Sequence, residues 1–249
     1  TWYVPNNMAI CLSGDFDPDQ MIETINKYFG HLKPNPNLPK LPVTHESPIK
    51  APVIKEVLGV DAENVTLGWR FPGAASPDQD LLNLTGEIIN NGKAGLLDID
   101  LVQQQKVLSC YAGTYGMSDY NAFVISGRPK QGQTLDEVKD LFLAEIDKLK
   151  KGEFDEGLLV YNTPYNYKLM QMYRMDRNDG RADMFVSSFI DGVDWKDEVA
   201  SLDRMSKVTK QQIVDFANKY FGDNYALIYK RQGKDPNEKK IDNLKSLRS

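Results

Sequence analysis

Between His31 and Pro52 the chain places six prolines, Pro34, Pro36, Pro39, Pro42, Pro48 and Pro52. Each fixes φ near −65° and removes a backbone donor, so this stretch can enter neither a helix interior nor the middle of a sheet. It divides the sequence. Residues 37–52 are expected to form an extended linker, with a short piece at 1–36 before it and a complete domain at 53–231 after it. A polar, lysine-rich tail at 232–249 is expected to fray.

The two sides of the linker share a pattern. Tyr3, Asn7 and Ala9, followed by an apolar run to Leu12, recur near the other end as Tyr220, Asn224 and Ala226, followed by a run to Tyr229. Both runs read as buried strands, so one architectural ending is present twice. The chain is thus expected to start with the tail of one unit, contain a whole second unit, and be a piece of something longer. Residues 7–29 supply one strand and one helix, too little to bury a core. They are expected to dock on another molecule or on the second domain, or to self-associate.

Local signals order the elements. Asp17 is an N-cap before Pro18, with Gln20 three positions on, opening a helix that Gly30 ends. Val53 to Leu58 and Asn64 to Phe71 alternate as strands, and Gly59 and Asp61 between them suggest a hairpin. Ser76-Pro77 opens a helix running to Asn91-Gly92. A glycine-containing turn leads to a short amphipathic helix around 96–104. Leu108 to Met117 and Ala122 to Pro129 read as an antiparallel pair. Thr134 and Glu137 form a capping box, and a long helix from Phe154 to Met175 is expected to kink at Pro164. Arg181 to Ile190 and Val193 to Met205 read as two shorter helices, with the charged stretch 176–181 as a loop capped by Asn178 or Asp179. Thr209 opens the last helix before the repeated strand. Paired strands alternating with groups of helices predict an α+β fold: two layers, with a largely antiparallel sheet packed on helices.

Chemistry has few places to reside. His31 and His45 flank and occupy the linker, and neither a helical His pair nor a CxxC motif exists, so the residues predict no metal site and no His-based triad. Cys11 and Cys110 lie in separate apolar runs and are expected to be buried and reduced. Gly92-Lys93-Ala94-Gly95 lacks P-loop spacing and follows a helix, so it reads as a turn. A net charge of −5 gives no basic field for nucleic acid, and no apolar run approaches the roughly 18 residues of a membrane span. Tyr161, Tyr165, Tyr167 and Tyr173 with Met170, Met172 and Met175 form a stripe that is either core, interdomain contact or a peptide-accepting surface.

The stretch from Trp2-Tyr3-Val4-Pro5-Asn6-Asn7-Met8 through Gly14-Asp15-Phe16-Asp17, with a helix ending Lys27-Tyr28-Phe29-Gly30, resembles the Y-x-P-x-N-M … G-D-x-D … K-Y-F-G pattern of the M16 (pitrilysin and insulin-degrading enzyme-like) zinc peptidases. The similarity continues from Gly95-Leu96-Leu97 through Tyr111. It implies a LuxS/M16 metallohydrolase-like fold, repeated along a longer protein whose halves enclose a peptide-sized chamber. It further implies that 1–36 closes a preceding domain carrying the His-x-x-Glu-His zinc site, which this sequence lacks. Active members hold substrate through an Arg and a Tyr seven positions apart. The matching places here are Val102 and Ser109, or Gln104 and Tyr111 two residues on, and neither register supplies the guanidinium. Expected substrate contacts are Tyr111, Gln104 and, from the aromatic stripe, Tyr165. The resemblance implies a noncatalytic, chamber-forming part of a zinc metallopeptidase with no cofactor of its own, zinc residing upstream. Its partners would be the other domains of the parent and an extended peptide. A structural or assembly subunit related to M16 core proteins is the alternative.

Overall fold

The computed structural model describes residues 1–40, 45–159 and 163–234. Within them β1 (Val53–Gly59), β2 (Asn64–Pro72), β3 (Ser109–Tyr115), β4 (Tyr120–Arg128) and β5 (Tyr225–Gln232) form one sheet in the order β1-β5-β2-β4-β3. β1 pairs with β5 in parallel and the other three pairings are antiparallel. The expected α+β arrangement, a largely antiparallel sheet layered on helices, is therefore present.

The hairpin expected between β1 and β2 is not. β5 enters between them, so Ala226 lies opposite Val53 on one side and Gly68 on the other. Four connecting residues, 60–63, cross the intervening strand. An extended tetrapeptide reaches about 13 Å, and two strand spacings take about 10 Å, so the crossing fits. Gly59 and Asp61 signal a chain reversal, and local turn chemistry carries no information about a third strand arriving 160 residues later.

β2 supplies the centre of the core. Val65, Leu67, Trp69 and Phe71 alternate inward and are buried, while Thr66, Gly68 and Arg70 face the other way. Over the inward face lie α2 (Gln79–Ile89), α3 (Leu135–Lys151) and α8 (Lys210–Tyr220), with α8 packed on both α2 and α3. Phe71 meets the rings of Phe123, Phe216, Tyr220 and Phe221 at centroid distances of 4.9–6.5 Å. Trp69 donates its indole N–H to the Gly222 carbonyl at 3.0 Å. The capping boxes of α3, Thr134 with Glu137, and of α8, Thr209 with Gln212, are both formed.

Several boundaries differ from expectation. Ser76 does not cap α2: its hydroxyl accepts from the Asp78 N–H in a preceding turn, and the helix starts at Gln79. The short helix expected at 96–104 is a π-helix, Asp98–Gln103. α5 (Asn178–Asp191) follows α4 (Thr163–Asp176) with only Arg177 between them, so the expected loop at 176–181 is a tight junction. Gly180 permits it, because a Cβ there would lie 2.1 Å from the Arg174 carbonyl oxygen. The segment 193–205 divides at Ala200 into α6 (Trp195–Val199) and α7 (Ser201–Met205). Pro164 falls in the first turn of α4, where its missing N–H costs little. Residues 160–162, the part of the expected long helix just before Pro164, lie outside the described residues, as does the tail from 235.

The N-terminal piece departs most. α1 (Pro18–Phe29) forms with Asp17 as its cap, accepting from the Asp19 and Gln20 N–H groups at 3.0 Å. The run before it is not a strand. A 3-10 turn at Pro5–Asn7 leads into extended backbone at Met8, and residues 8–13 make no backbone–backbone hydrogen bond with the described residues. No neighbour among the described residues supplies a ladder.

Close packing at the sheet–helix interface gives one test. Gly127 sits on the inward face of β4, where a Cβ would lie 2.5 Å from Phe142 Cζ of α3 and 2.9 Å from the Ser109 carbonyl oxygen. Gly127→Ala is expected to destabilise the domain by about 1–3 kcal/mol, read as a lowered urea midpoint.

Candidate peptide-contact surface

The sheet's second face is not covered by α2, α3 or α8. Residues directly opposite one another in an antiparallel pair share a face, so the registers assign Thr66, Gly68 and Arg70 to this surface together with Ser126, Val124 and Ala122, and with Tyr111, Gly113 and Tyr115. Ala226 and Ile228 extend it across β5. Its centre is small: Gly68, Gly113, Ala122 and Ala226 leave room for close backbone approach, and a Cβ on Gly113 would meet nothing within 4 Å. Thr66 and Ser126 hydroxyls bond each other at 2.8 Å. Tyr111 and Tyr115 stand exposed on either side of Gly113, and the Tyr111 side chain raises the Tyr115 phenol above its ordinary value.

At one end the linker closes over this face. Arg70 lies over the Tyr120 ring at 5.0 Å and donates to the Ser47 carbonyl at 2.9 Å, and the Glu46 N–H donates to the Tyr120 hydroxyl at 3.2 Å. A cavity of ≈ 350 Å³ lined by His45, Arg70, Pro72, Asp119 and Tyr120 remains beneath.

The edge of the face is fixed by a carboxylate. Asp98, buried at the start of the π-helix, accepts from Asn90 Nδ2 at 2.6 Å and from the Asn91 and Gly95 N–H groups at 2.9 and 3.0 Å. Asn90 in turn accepts from the Ala112 N–H at 3.0 Å. One polar knot thus ties the end of α2, the π-helix and edge strand β3, and it occupies the outward amide of Ala112. Gly95 is required there, since a Cβ would lie 2.7 Å from the Ile89 carbonyl oxygen.

Behind β3 the site is acidic. Lys148 of α3 bridges Asp100 at 2.6 Å and Glu145 at 2.9 Å, while Glu145 Oε2 is buried without a partner. Burial raises the Glu145 carboxyl, and Lys148 only partly offsets it. Burial, with Asp98 and Glu145 facing it, pushes the Cys110 thiol up to about 12, so it stays protonated and unreactive. Cys11 and Cys110 are both free, and each is half-buried, not fully enclosed as expected. Among the described residues no group of three or more His, Cys, Asp or Glu side chains converges to hold a metal ion. His31 and His45 are exposed.

The three sequence-derived contact residues do not converge. Tyr111 lies on the uncovered sheet face. Gln104 ends the π-helix, exposed, with its amide 3.4 Å from Asp100 Oδ1. Tyr165 stands on α4, which packs on α2, α5 and α7 in the helical layer. Of the aromatic and methionine stripe, Tyr167 turns inward toward α2, where burial and the Glu87 and Asp80 carboxylates raise its phenol. Tyr165, Met170, Met172, Tyr173 and Met175 are exposed, and Tyr161 lies outside the described residues. The alternation of Tyr111, Gly113 and Tyr115 in the sequence signals the second tyrosine, which the residue-by-residue reading missed. The Asn90–Asp98 knot had no motif to reveal it.

The family described as Peptidase M16 inactive domain matches residues 1–161. The chain belongs to that family. This M16 inactive domain is 25% identical over 171 residues to the zinc protease PqqE of Helicobacter pylori, covering 64% of this chain and 36% of that protein. Its fold matches a protease from Helicobacter pylori with a TM-score of 0.80 at 20% identity, covering 88% of this chain and 54% of the other. It also matches an M16 inactive domain from Pseudomonas fluorescens with a TM-score of 0.73 at 14% identity, over 89% and 53% of the two chains. The chain therefore spans about a third of the curated relative and about half of each solved structure. The inactive domain is the noncatalytic domain of zinc proteases, and its homologues are parts of larger M16 proteins that carry partner domains.

Two substitutions test the site's construction. Asn90→Ala orphans the Ala112 N–H and removes one donor from Asp98, with an expected loss of about 1–3 kcal/mol in denaturant unfolding. Glu145→Gln probes the buried charge. Because the folded carboxyl lies above its unfolded value, the folded state binds more protons between the two values and wild-type stability falls as pH rises through that interval. Glu145→Gln is thus expected to be more stable than wild type near pH 7, with the difference closing as pH falls toward the ordinary Glu range, measured by unfolding midpoints across pH 4–8.

Proposed function

We propose that this M16 inactive domain forms part of the chamber wall of a longer zinc metallopeptidase that degrades peptides, and contacts extended substrate there. In this reading, residues 1–36 close a preceding domain that carries the zinc site, 37–52 link the two, and 53–231 are the noncatalytic domain. The observation that carries it is the uncovered sheet face, floored by Gly68, Gly113, Ala122 and Ala226 and bordered by Tyr111 and Tyr115. A floor without large side chains lets an extended backbone lie close. The two exposed phenols offer both ring faces and hydroxyl groups beside it. Val124 and Ile228 supply apolar contact without selecting a particular side chain, as a broad peptide surface requires.

Gln104, exposed at the end of the π-helix beside Asp100, has a carboxamide for a peptide group that reaches past edge strand β3. Tyr165 and the exposed methionines of α4 continue into Val186, Phe189 and Ile190 on α5. That apolar helix pair suits contact with the other half of the protein or with substrate at the chamber rim. The knot around Asp98 serves as the positioning device: it holds β3, and with it the tyrosines, against the end of α2.

The test is binding of a fluorescently labelled, unstructured peptide of about 20 residues to the 249-residue chain. Tyr111→Ala is expected to weaken binding by about tenfold, a change of about 1.4 kcal/mol, with unchanged thermal stability. The complete gene product is expected to cleave the same peptide with zinc, while this chain alone does not. Absence of binding here and of cleavage in the complete product would overturn the reading in favour of a structural subunit.

A further inference from the structure

Charge divides the two faces of the sheet. The five strands contain one carboxylate, Glu56, which shares the core-side face with Tyr229 and is paired with Arg231 at 3.0 Å. Laterally adjacent residues of neighbouring strands point to one side and successive residues alternate. Lys55 therefore joins Ile228 and Lys230 on the uncovered face, and Arg128 continues the set Ala122, Val124 and Ser126 along β4. With Arg70, four cations lie on this face and no strand carboxylate does. Among the described residues none of the four makes an ion pair, whereas Lys139, Lys148, Arg204 and Lys219 of the helical layer all do. Lys230 donates to the Ala62 carbonyl at 3.1 Å and Arg70 to the Ser47 carbonyl at 2.9 Å, contacts that leave their charges uncompensated. Lys55 and Arg128 are exposed. Carboxylates flank the face only from loops at its two ends: Glu46 and Asp119 around Arg70, and Asp61 and Glu63 in the link between β1 and β2.

We propose that this face selects extended peptides rich in Asp and Glu, with Arg70 as the principal anchor and Lys55, Arg128 and Lys230 as a positive field around it. The inference rests on the proposed peptide contact and names the class of peptide that contact favours. Arg70 is placed for the role. Among the described residues its guanidinium engages only Nη2, on the linker carbonyls, so Nε and Nη1 remain for a carboxylate. The Tyr120 ring holds the guanidinium plane at 5.0 Å, and the ≈ 350 Å³ cavity that His45 also lines gives a carboxylate room beside it. A planar guanidinium takes a carboxylate through two parallel charge-assisted hydrogen bonds. Tyr115 lies in the same row, across Ala122 from Arg70, and has a phenol hydroxyl to donate.

The spacing suits an extended chain. Arg70 is level with Ala122, and the stretch of β4 from Ala122 to Arg128 is about 20 Å long. An extended peptide turns alternate side chains to one side at intervals of about 7 Å. Acids at alternate positions thus meet Arg70 and the surrounding cations in turn, while the Gly and Ala floor admits the backbone. The apolar floor accepts any side chain, and the charge around it discriminates. Unpaired like charges on one face also repel one another, a cost that a ligand bearing carboxylates relieves. A polynucleotide is a poorer occupant: its charge is uniform along its length, and the chain as a whole carries −5, so most phosphates would meet a repelling field.

Labelled, unstructured peptides of equal length with Glu, Gln or Lys at alternate positions test this by fluorescence anisotropy on the 249-residue chain. The Glu peptide should bind about tenfold more tightly than the Gln peptide at low salt, and the Lys peptide more weakly than either. The Glu-to-Gln ratio should narrow as salt rises. Arg70→Gln should cut that ratio by about threefold or more while leaving Gln-peptide binding within about twofold. The double variant Lys55→Gln, Arg128→Gln alters only exposed side chains without ion pairs and should also narrow the ratio, so the test stands even if Arg70→Gln does not fold. Equal binding of the Glu and Gln peptides, both weakened by Tyr111→Ala, overturns this inference and leaves the proposed function in place. A preference for Glu that survives in both cation variants overturns the assignment to this face. Tighter binding of a single-stranded oligonucleotide than of the Glu peptide overturns it in favour of nucleic acid. Absence of binding by all three peptides overturns the proposed function and this inference together.

Discussion

The fold depends on one strand entering between two others. β5 is hydrogen-bonded to β1 on one edge and β2 on the other, and without it the two are separate ribbons joined by a four-residue link. Its arrival also completes the aromatic centre, because Phe221 and Tyr225, at its entry, pack on Trp69 at 5.2 and 5.4 Å. Sheet closure and core closure are therefore the same event. It brings together segments some 160 residues apart, and such distant pairing makes a topology slow to form. The capping boxes on α3 and α8 act on this problem locally by fixing where the helices that flank the late strand begin.

Covering the sheet on one face has a functional consequence. Core-facing positions are filled largely by Trp, Phe, Leu and Tyr, whereas the other face is built mostly from Gly, Ala, Thr, Ser and Val, with Tyr111 and Tyr115 along its β3 edge. A face of that composition gains little from burial under a helix. It offers space to a backbone instead, which is the property the proposed peptide contact uses. The polar knot at Asp98 then matters because edge strands are otherwise the least constrained parts of a sheet. It fixes β3 through a satisfied carboxylate, in contrast to Glu145 nearby, whose second oxygen has no partner.

The N-terminal piece follows the same logic in reverse. Its residues 8–12 repeat the pattern of β5, yet Met8, Ile10 and Leu12 are exposed where their counterparts in β5 are buried. Side-chain amides give it some internal order, with Asn6 and Asn35 joined by two hydrogen bonds of 2.9 and 3.0 Å. That arrangement preserves its shape but buries none of its apolar face. The linker residues 45–47, by contrast, are anchored on Arg70 and Tyr120 and belong physically to the domain that follows.

Local chemistry in the sequence determined much of this protein. Thr134 with Glu137 and Thr209 with Gln212 mark helix starts because the bonds they make span three residues. The alternation in 64–71 identifies a half-buried strand, and the Tyr–Asn–Ala pattern recurs near both ends of the chain. Features that depend on distant partners were decided only by the tertiary structure. Gly59 and Asp61 read as a hairpin until β5 came between the strands, and residues 8–13 read as a strand although none among the described residues pairs with them. Tyr111 and Tyr165 are separated by the sheet itself, which no spacing along the chain could show. The physical reason is common to all three: side-chain propensity and periodicity act within a few residues, while strand neighbours and the choice of covered face are set by what arrives from far along the chain.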